Sequence, residues 1–161
     1  MTEALLNAFA THERINQYMI ENLSDEAWSE KTPDGKGRTV RAMAAHMHNV
    51  RLMWLKAILK EANLPAQLDK DSCSRAEALR AFGQSHQMLE DVLREALPKG
   101  KVKGFSPDAV SFFAYLVSHE SHHRGQIAWL AKRLGHPLPK TVEFGMWEWG
   151  SRSREVKGAS A

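Results

Sequence analysis

A four-helix bundle of the all-α class, with a long crossover between its second and third helices, is the fold this sequence predicts, and three observations carry that prediction. Four long stretches repeat apolar residues at the helical period of about 3.6. The segments between them hold nearly all of the proline and glycine, and no stretch alternates apolar and polar residues as a half-buried strand would. With 161 residues, 43% of them hydrophobic and 25% charged, the chain is long enough for a single domain over 1–161. Its one core needs no disulfide or metal staple merely to fold.

The first predicted helix runs from about Thr2 to Leu23, with Leu5, Phe9, Met19, Ile20 and Leu23 on one face, and Ser24-Asp25 ends it. After the Pro33-Asp34-Gly35-Lys36-Gly37 turn a second helix runs from about Thr39 to Glu61. Ser74-Arg75-Ala76-Glu77 is a capping box, in which the serine accepts from the third backbone N–H and the glutamate reaches back to the cap. It opens a third helix that continues through Leu79, Phe82, Leu89 and Leu93 to about Leu97. Ser106-Pro107-Asp108 predicts a serine cap, a proline at the first helical position and an acid in the first turn of the fourth helix. That helix ends at Leu134-Gly135, and Pro137 and Pro139 prevent its continuation. The connection from residue 61 to residue 73 extends to roughly 43 Å, more than the ~30 Å of a twenty-residue helix, so helices two and three can run parallel. From about residue 136 the sequence predicts an irregular segment whose Phe144, Trp147 and Trp149 fold back over the bundle.

Composition narrows the function. A single cysteine, Cys73, excludes an internal disulfide and Cys-rich zinc modules, and the expected compartment is the cytoplasm. The N-terminus lacks the basic region and apolar core of a signal peptide, and no apolar run approaches a membrane span. Lys+Arg 22 against Asp+Glu 19 leaves a net charge of +3. The clusters Lys99-Lys101-Lys103 and Arg152-Arg154-Lys157 read as a solvated loop and tail, so neither nucleic acid nor membrane is an expected partner.

The unusual count is eight histidines. At about 100° per residue, Val40, Met43, Met47, Val50 and Trp54 define an inward arc on the second helix, which His46 flanks while His48 looks outward. On the fourth helix Phe112, Leu116, Ile127 and Leu130 lie on the inward face; His123 falls within it, His119 at its edge, and His122 points away. His119 and His123, four residues apart, stack on successive turns and can share one ion, and His46 is the best third donor from a facing helix. His12, Asn16 and His86 interrupt apolar stripes of the first and third helices. Buried polar groups must find partners, so these three bond to one another and to backbone or line a cavity beside the metal. Leu52, Leu55 and Leu59 point away from the inward arc, forming a patch for dimerisation or for cover by Trp147 and Trp149.

His119-Glu120-Ser121-His122-His123 spells the H-E-x-x-H word of zinc peptidases, but those enzymes shape their cleft with a sheet that this chain lacks. Glu120 reads instead as an i,i+4 partner of Arg124 at the bundle edge or as support for a ligand histidine. A di-iron carboxylate site would need a second Glu-x-x-His and two further inward glutamates, which are absent.

These words resemble the DinB/YfiT-like family along nearly the whole chain. The resemblance is carried by Thr39-Val40-Arg41-Ala42-Met43-Ala44-Ala45-His46-Met47 and, more specifically, by His119-Glu120-Ser121-His122-His123-Arg124-Gly125-Gln126-Ile127. The Asn16 helix followed by Leu23-Ser24-Asp25-Glu26, and the exit Leu134-Gly135-His136-Pro137-Leu138-Pro139, are similar as well. The resemblance implies a homodimeric four-helix bundle with the long crossover, and a divalent metal, zinc or nickel, on His46, His119 and His123. Relatives include transferases and isomerases that use a low-molecular-weight thiol. The expectation is therefore a metal-dependent enzyme that activates water or such a thiol for a small-molecule substrate. The competing expectation is a non-enzymatic, stress-related metal-binding or scaffolding dimer. Arg38-Thr39 departs from the family's usual aromatic-Ser pair, so the mouth of the site is expected to differ. No catalytic residue is assigned, and Cys73 reads as an incidental thiol.

Overall fold

The computed structural model describes residues 1–60 and 62–159 of the chain and is all-helical among them, apart from one isolated bridge between Val102 and Phe105. Four long helices, α1 (Thr2–Glu21), α3 (Val40–Leu59), α4 (Arg75–Lys99) and α5 (Ala109–Arg133), are accompanied by three short ones, α2 (Asp25–Ser29) between the first two and α6 (Lys140–Gly145) and α7 (Trp149–Ala159) after the last. The expected reach of the second long helix to Glu61 ends on a residue outside the described ones. Among the described residues no helix is long and apolar enough to cross a membrane.

Local chemistry sets the ends. Ser74 and Glu77 form both halves of the capping box at α4, and Gly100 closes that helix in the left-handed region at φ 70°. Thr39 caps α3 by accepting from the Ala42 N–H. The cap of α5 is Asp108 rather than Ser106: its carboxylate accepts from Ser111 N at 2.7 Å, so the helix starts two residues later than predicted and Pro107 lies outside it.

The apolar core divides into two clusters, and the division gives the helix directions. One cluster joins the end of α1 (Met19, Ile20), the starts of α3 and α4 (Val40, Ala44, Ala78, Phe82) and the end of α5 (Ile127, Leu130). The other joins the start of α1 (Leu6, Phe9), the later halves of α3 and α4 (Leu52, Leu55, Leu89, Leu93) and the start of α5 (Phe112, Leu116). Thus α1 and α5 run one way, and α3 and α4 the other. The segment after α3 runs back beside it: Ala66 O meets His48 Nε2 at 3.0 Å, Leu68 N and O pair with the Asn49 amide, and Asp71 O accepts from Arg41 at 2.6 Å.

Two sequence expectations fail here. The buried face of α3 is Ala44, Met47, His48, Arg51, Leu52 and Leu55, rotated from the predicted arc. Its centre is occupied by His48 and Arg51, which an apolar pattern cannot register, so His48 is buried rather than outward. For the same reason Leu52 and Leu55 belong to the core and form no surface patch. The C-terminal segment is also not irregular, because Pro139 and the residues after it start α6, and α7 follows and packs on α1. Tyr18 is the seat of this tail. A Cβ at Gly145 would lie 2.8 Å from its hydroxyl, and the Arg152 guanidinium sits 3.9 Å from its ring centroid. Trp147 and Phe144 stay exposed.

Candidate metal centre

All four long helices change from apolar to polar between the two core clusters. α1 supplies His12, Glu13 and Asn16, α3 His48 and Arg51, α4 Ser85, and α5 Glu120, every one of them buried. The layer is built around Arg51, whose Nε donates to Glu120 Oε1 at 2.7 Å and whose Nη2 donates to Glu120 Oε2 at 2.8 Å and Glu13 Oε2 at 2.5 Å. Its Nη1 reaches the Phe82 carbonyl at 3.0 Å. Glu120 Oε2 also accepts from Asn16 at 2.7 Å and meets His12 Nε2 at 3.0 Å, while Arg124 donates to Asn16 Oδ1 at 2.6 Å. Burial alone would raise the Glu120 carboxyl and lower the Arg51 guanidinium, but each is turned the other way by its partner: Glu120 is held well below the usual carboxylate range and Arg51 above its ordinary value.

Glu120 is therefore not an edge partner of Arg124. It sits 1% exposed on the inward stripe of α5, between Leu116 and His123, and answers Arg51. His12 and Asn16 join it in one network, as their inward positions predict. His86 does not join. It lies against Phe9 at 4.7 Å between ring centroids and beside Glu90 Oε2 at 3.4 Å. Arg51 and Glu13 escape sequence reading because long charged side chains are rarely buried unless paired. The signal that could have found Arg51 is its spacing of three from His48 and four from Met47 on one helical face.

His46, His119 and His123 meet beside this layer, each with a ligand nitrogen within 4.8 Å of the others'. The ring centroids of His46 and His123 are 4.7 Å apart, and those of His119 and His123 4.6 Å. The facing Nε2 atoms of His119 and His123 are 3.2 Å apart. Two nitrogens bound to one tetrahedral ion at about 2.05 Å each would stand about 3.3 Å apart, so the α5 pair already has chelating spacing. His123 Nδ1 meets Gln126 Oε1 at 2.8 Å. The amide oxygen can only accept, so Nδ1 carries the proton and Nε2 is left as a lone-pair donor.

All three imidazoles are held in the neutral, ligating form. Burial, the charge of Arg38 and the other two histidines push His46 down to about 4. Burial first, with neighbouring histidines and Arg38, lowers His119 and His123 as well. His122 is exposed, with its ring 5.1 Å from that of His123 between centroids, and is not one of the three that converge. Cys73 is buried away from the cluster, next to Ala78 and Trp28, and burial pushes its thiol up, away from nucleophile chemistry. The donor set of three neutral imidazoles, one of them fixed by an amide, suits a borderline divalent ion such as zinc or nickel and leaves further coordination positions for small molecules.

His46 also lines a cleft of about 420 Å³, formed by the loop before α3, the start of α3 and the segment after it. Against known proteins, the model of the DinB family matches residues 1–150. No curated protein and no solved structure matches the chain significantly.

Proposed function

Because this chain belongs to the DinB family and brings His46, His119 and His123 within reach of one ion, we propose that it is a metal-dependent enzyme of the thiol-transferase type. The convergence of three neutral imidazoles from α3 and α5 carries this reading. His46, His119 and His123 would hold a zinc or nickel ion, which would supply Lewis acidity for activating water or a low-molecular-weight thiol near neutral pH. The chain's own residues do the rest. Gln126 orients His123 through its Nδ1–H, and His119 is held edge-on to His123 and stacked on Tyr115 at 5.9 Å. The Arg51–Glu120 pair locks α3 to α5 and so fixes the distance between His46 and the α5 pair. The cleft beside His46 admits the small-molecule substrate. The reading extends to a cytoplasmic homodimer, supported by the free thiol of Cys73 and by large apolar side chains left exposed, Trp129 at 60% and Trp147 at 80%.

Metal analysis of protein purified without an imidazole column tests the reading. We expect about one divalent ion per chain, and His119→Ala should lose most of it while keeping its helical content and cooperative unfolding. Stoichiometric metal in that variant would overturn the assignment. Calorimetry with a small thiol should then show binding to the loaded protein and none to the metal-free one.

A further inference from the structure

We propose that Arg38, assisted by Lys31 and Lys70, makes the cleft beside His46 a receptor for an anionic oxygen group, carboxylate or phosphate, on the small-molecule substrate. The inference rests on the three histidines being the place of reaction, and it names the chemical class that reaches them.

The cleft lining carries three cations, Lys31, Arg38 and Lys70, against one carboxylate, Asp71. Asp71 lies 4.0 Å from Lys70. Among the described residues Arg38 and Lys31 have no ion pair or hydrogen bond of their side chains. Arg14, Arg51, Arg75 and Arg94, by contrast, pair with carboxylates. Arg38 is thus an exposed guanidinium with its donors free, lining the same cleft as a candidate metal ligand. Its planar fork suits two oxygens of one carboxylate or phosphate.

The loop that presents it is built rather than loose. Thr32 Oγ1 donates to Lys36 O at 2.5 Å, Gly35 N donates to Thr32 O at 2.8 Å, and Asp34 Oδ1 accepts from Lys36 N at 3.1 Å. Gly35 and Gly37 take positive φ values of 66° and 87°, which side chains resist, and Thr39 then caps α3 directly after Arg38. Position 38 is therefore fixed relative to His46, two helical turns along α3.

Charge balance gives the arginine its purpose. A bare guanidinium near three metal-ligating imidazoles repels a second cation, so alone it weakens metal binding. An anionic group held by Arg38 removes that repulsion, so metal and anionic substrate strengthen each other's binding. A neutral substrate gains nothing from Arg38.

The test has two arms. In the first, metal-free protein is titrated with inorganic phosphate and, separately, with acetate, followed by amide chemical shifts. Saturable changes at Arg38, Thr39 and Lys70, lost in Arg38→Gln, support the proposal, and the stronger of the two ligands identifies the group. Changes spread evenly over the surface, or the same in Arg38→Gln, overturn it. In the second arm zinc-loaded protein is titrated with 3-mercaptopropionate and with 2-mercaptoethanol. The anionic thiol should bind about tenfold more tightly, the preference should fall to near unity in Arg38→Gln, and Arg38→Lys should restore part of it. Equal affinities in the parent protein overturn the proposal. Bound zinc is measured in every sample: a parent chain that takes no zinc removes the histidine site, and the first arm still decides the anion receptor. Arg38→Gln should bind zinc as well as the parent or better, which a merely structural role for Arg38 would not produce.

Discussion

Two polar clusters sit side by side at the middle of this bundle and are finished in opposite ways. In the Arg51–Glu120 layer the donors meet acceptors: Arg51 reaches two carboxylates and a carbonyl, and both Glu120 oxygens are used. In the histidine cluster the facing atoms are alike, the Nε2 atoms of His119 and His123 3.2 Å apart with a third imidazole beside them. The first is complete in itself and holds helices together. The second pairs imidazole with imidazole, and a change of tautomer at His119 would open the same two nitrogens to a cation. Burial differs too: Arg51 and Glu120 are each 1% exposed, whereas in the histidine cluster only His123 is buried and His46 and His119 are half-buried. Within one small domain, the two clusters differ more in the strength and number of their internal bonds than in polarity.

Breaking the first cluster should have the largest effect. Glu120→Ala leaves the Arg51 guanidinium buried beside only Glu13, and we expect a loss of about 3–5 kcal/mol of stability. For a domain of this size that lowers the midpoint of thermal unfolding by about 10 °C or more. His46→Ala, at the neighbouring cluster, should cost far less in the metal-free protein. Thermal unfolding of both variants checks the contrast, and equal losses would show that the two clusters are not different in kind.

A smaller effect distinguishes the ligands from what orients them. Gln126→Leu removes the acceptor of the His123 Nδ1–H and frees the ring to turn or change tautomer. Metal affinity should fall about 10- to 100-fold, the usual cost of losing such a support, with little change in stability because Gln126 is exposed. Competition with a chelator of known affinity measures it. Unchanged affinity would mean that His123 is held by packing alone.

The same contrast explains what the sequence disclosed. The four long helices, the Ser74–Glu77 capping box and the α5 spacing of His119 and His123 were legible because each depends on near neighbours in the chain. The rotation of α3 was not. Its buried face is centred on His48 and Arg51, so a search for apolar residues turns the helix toward Val50 and Trp54, which are only half-buried. His48 is satisfied by Ser85 Oγ at 3.1 Å and Ala66 O at 3.0 Å, partners 37 and 18 residues away that no local pattern contains. His46 survived the misrotation because it flanks the face in either setting. Arg51 and Glu13 were missed because a buried charge is recognisable only once its partner, 69 or 38 residues away, is known. The helical tail was missed because three aromatics in ten residues suggested cover rather than the α7 turn over Tyr18.

The smallest expected effect separates the clusters along the pH axis. The folded His46 titrates at about 4 and the unfolded side chain near its ordinary 6.5. Between those values the unfolded chain binds a proton that the folded one refuses, so metal-free protein loses stability as pH falls through the window from 6.5 toward 4. Glu120 is lowered from 4.5, so its contribution is intact above that value and is lost only as pH falls below it. His46→Gln should therefore flatten the decline in unfolding midpoint between pH 6.5 and 5 and leave the steeper fall below pH 4.5 in place. Saturating zinc should steepen the upper part instead, because protons then compete with the ion for all three imidazoles. An upper decline that persists unchanged in the metal-free His46→Gln protein would place that titration elsewhere. His119, His123 and His48, whose imidazoles burial also pushes down, would be the next to substitute.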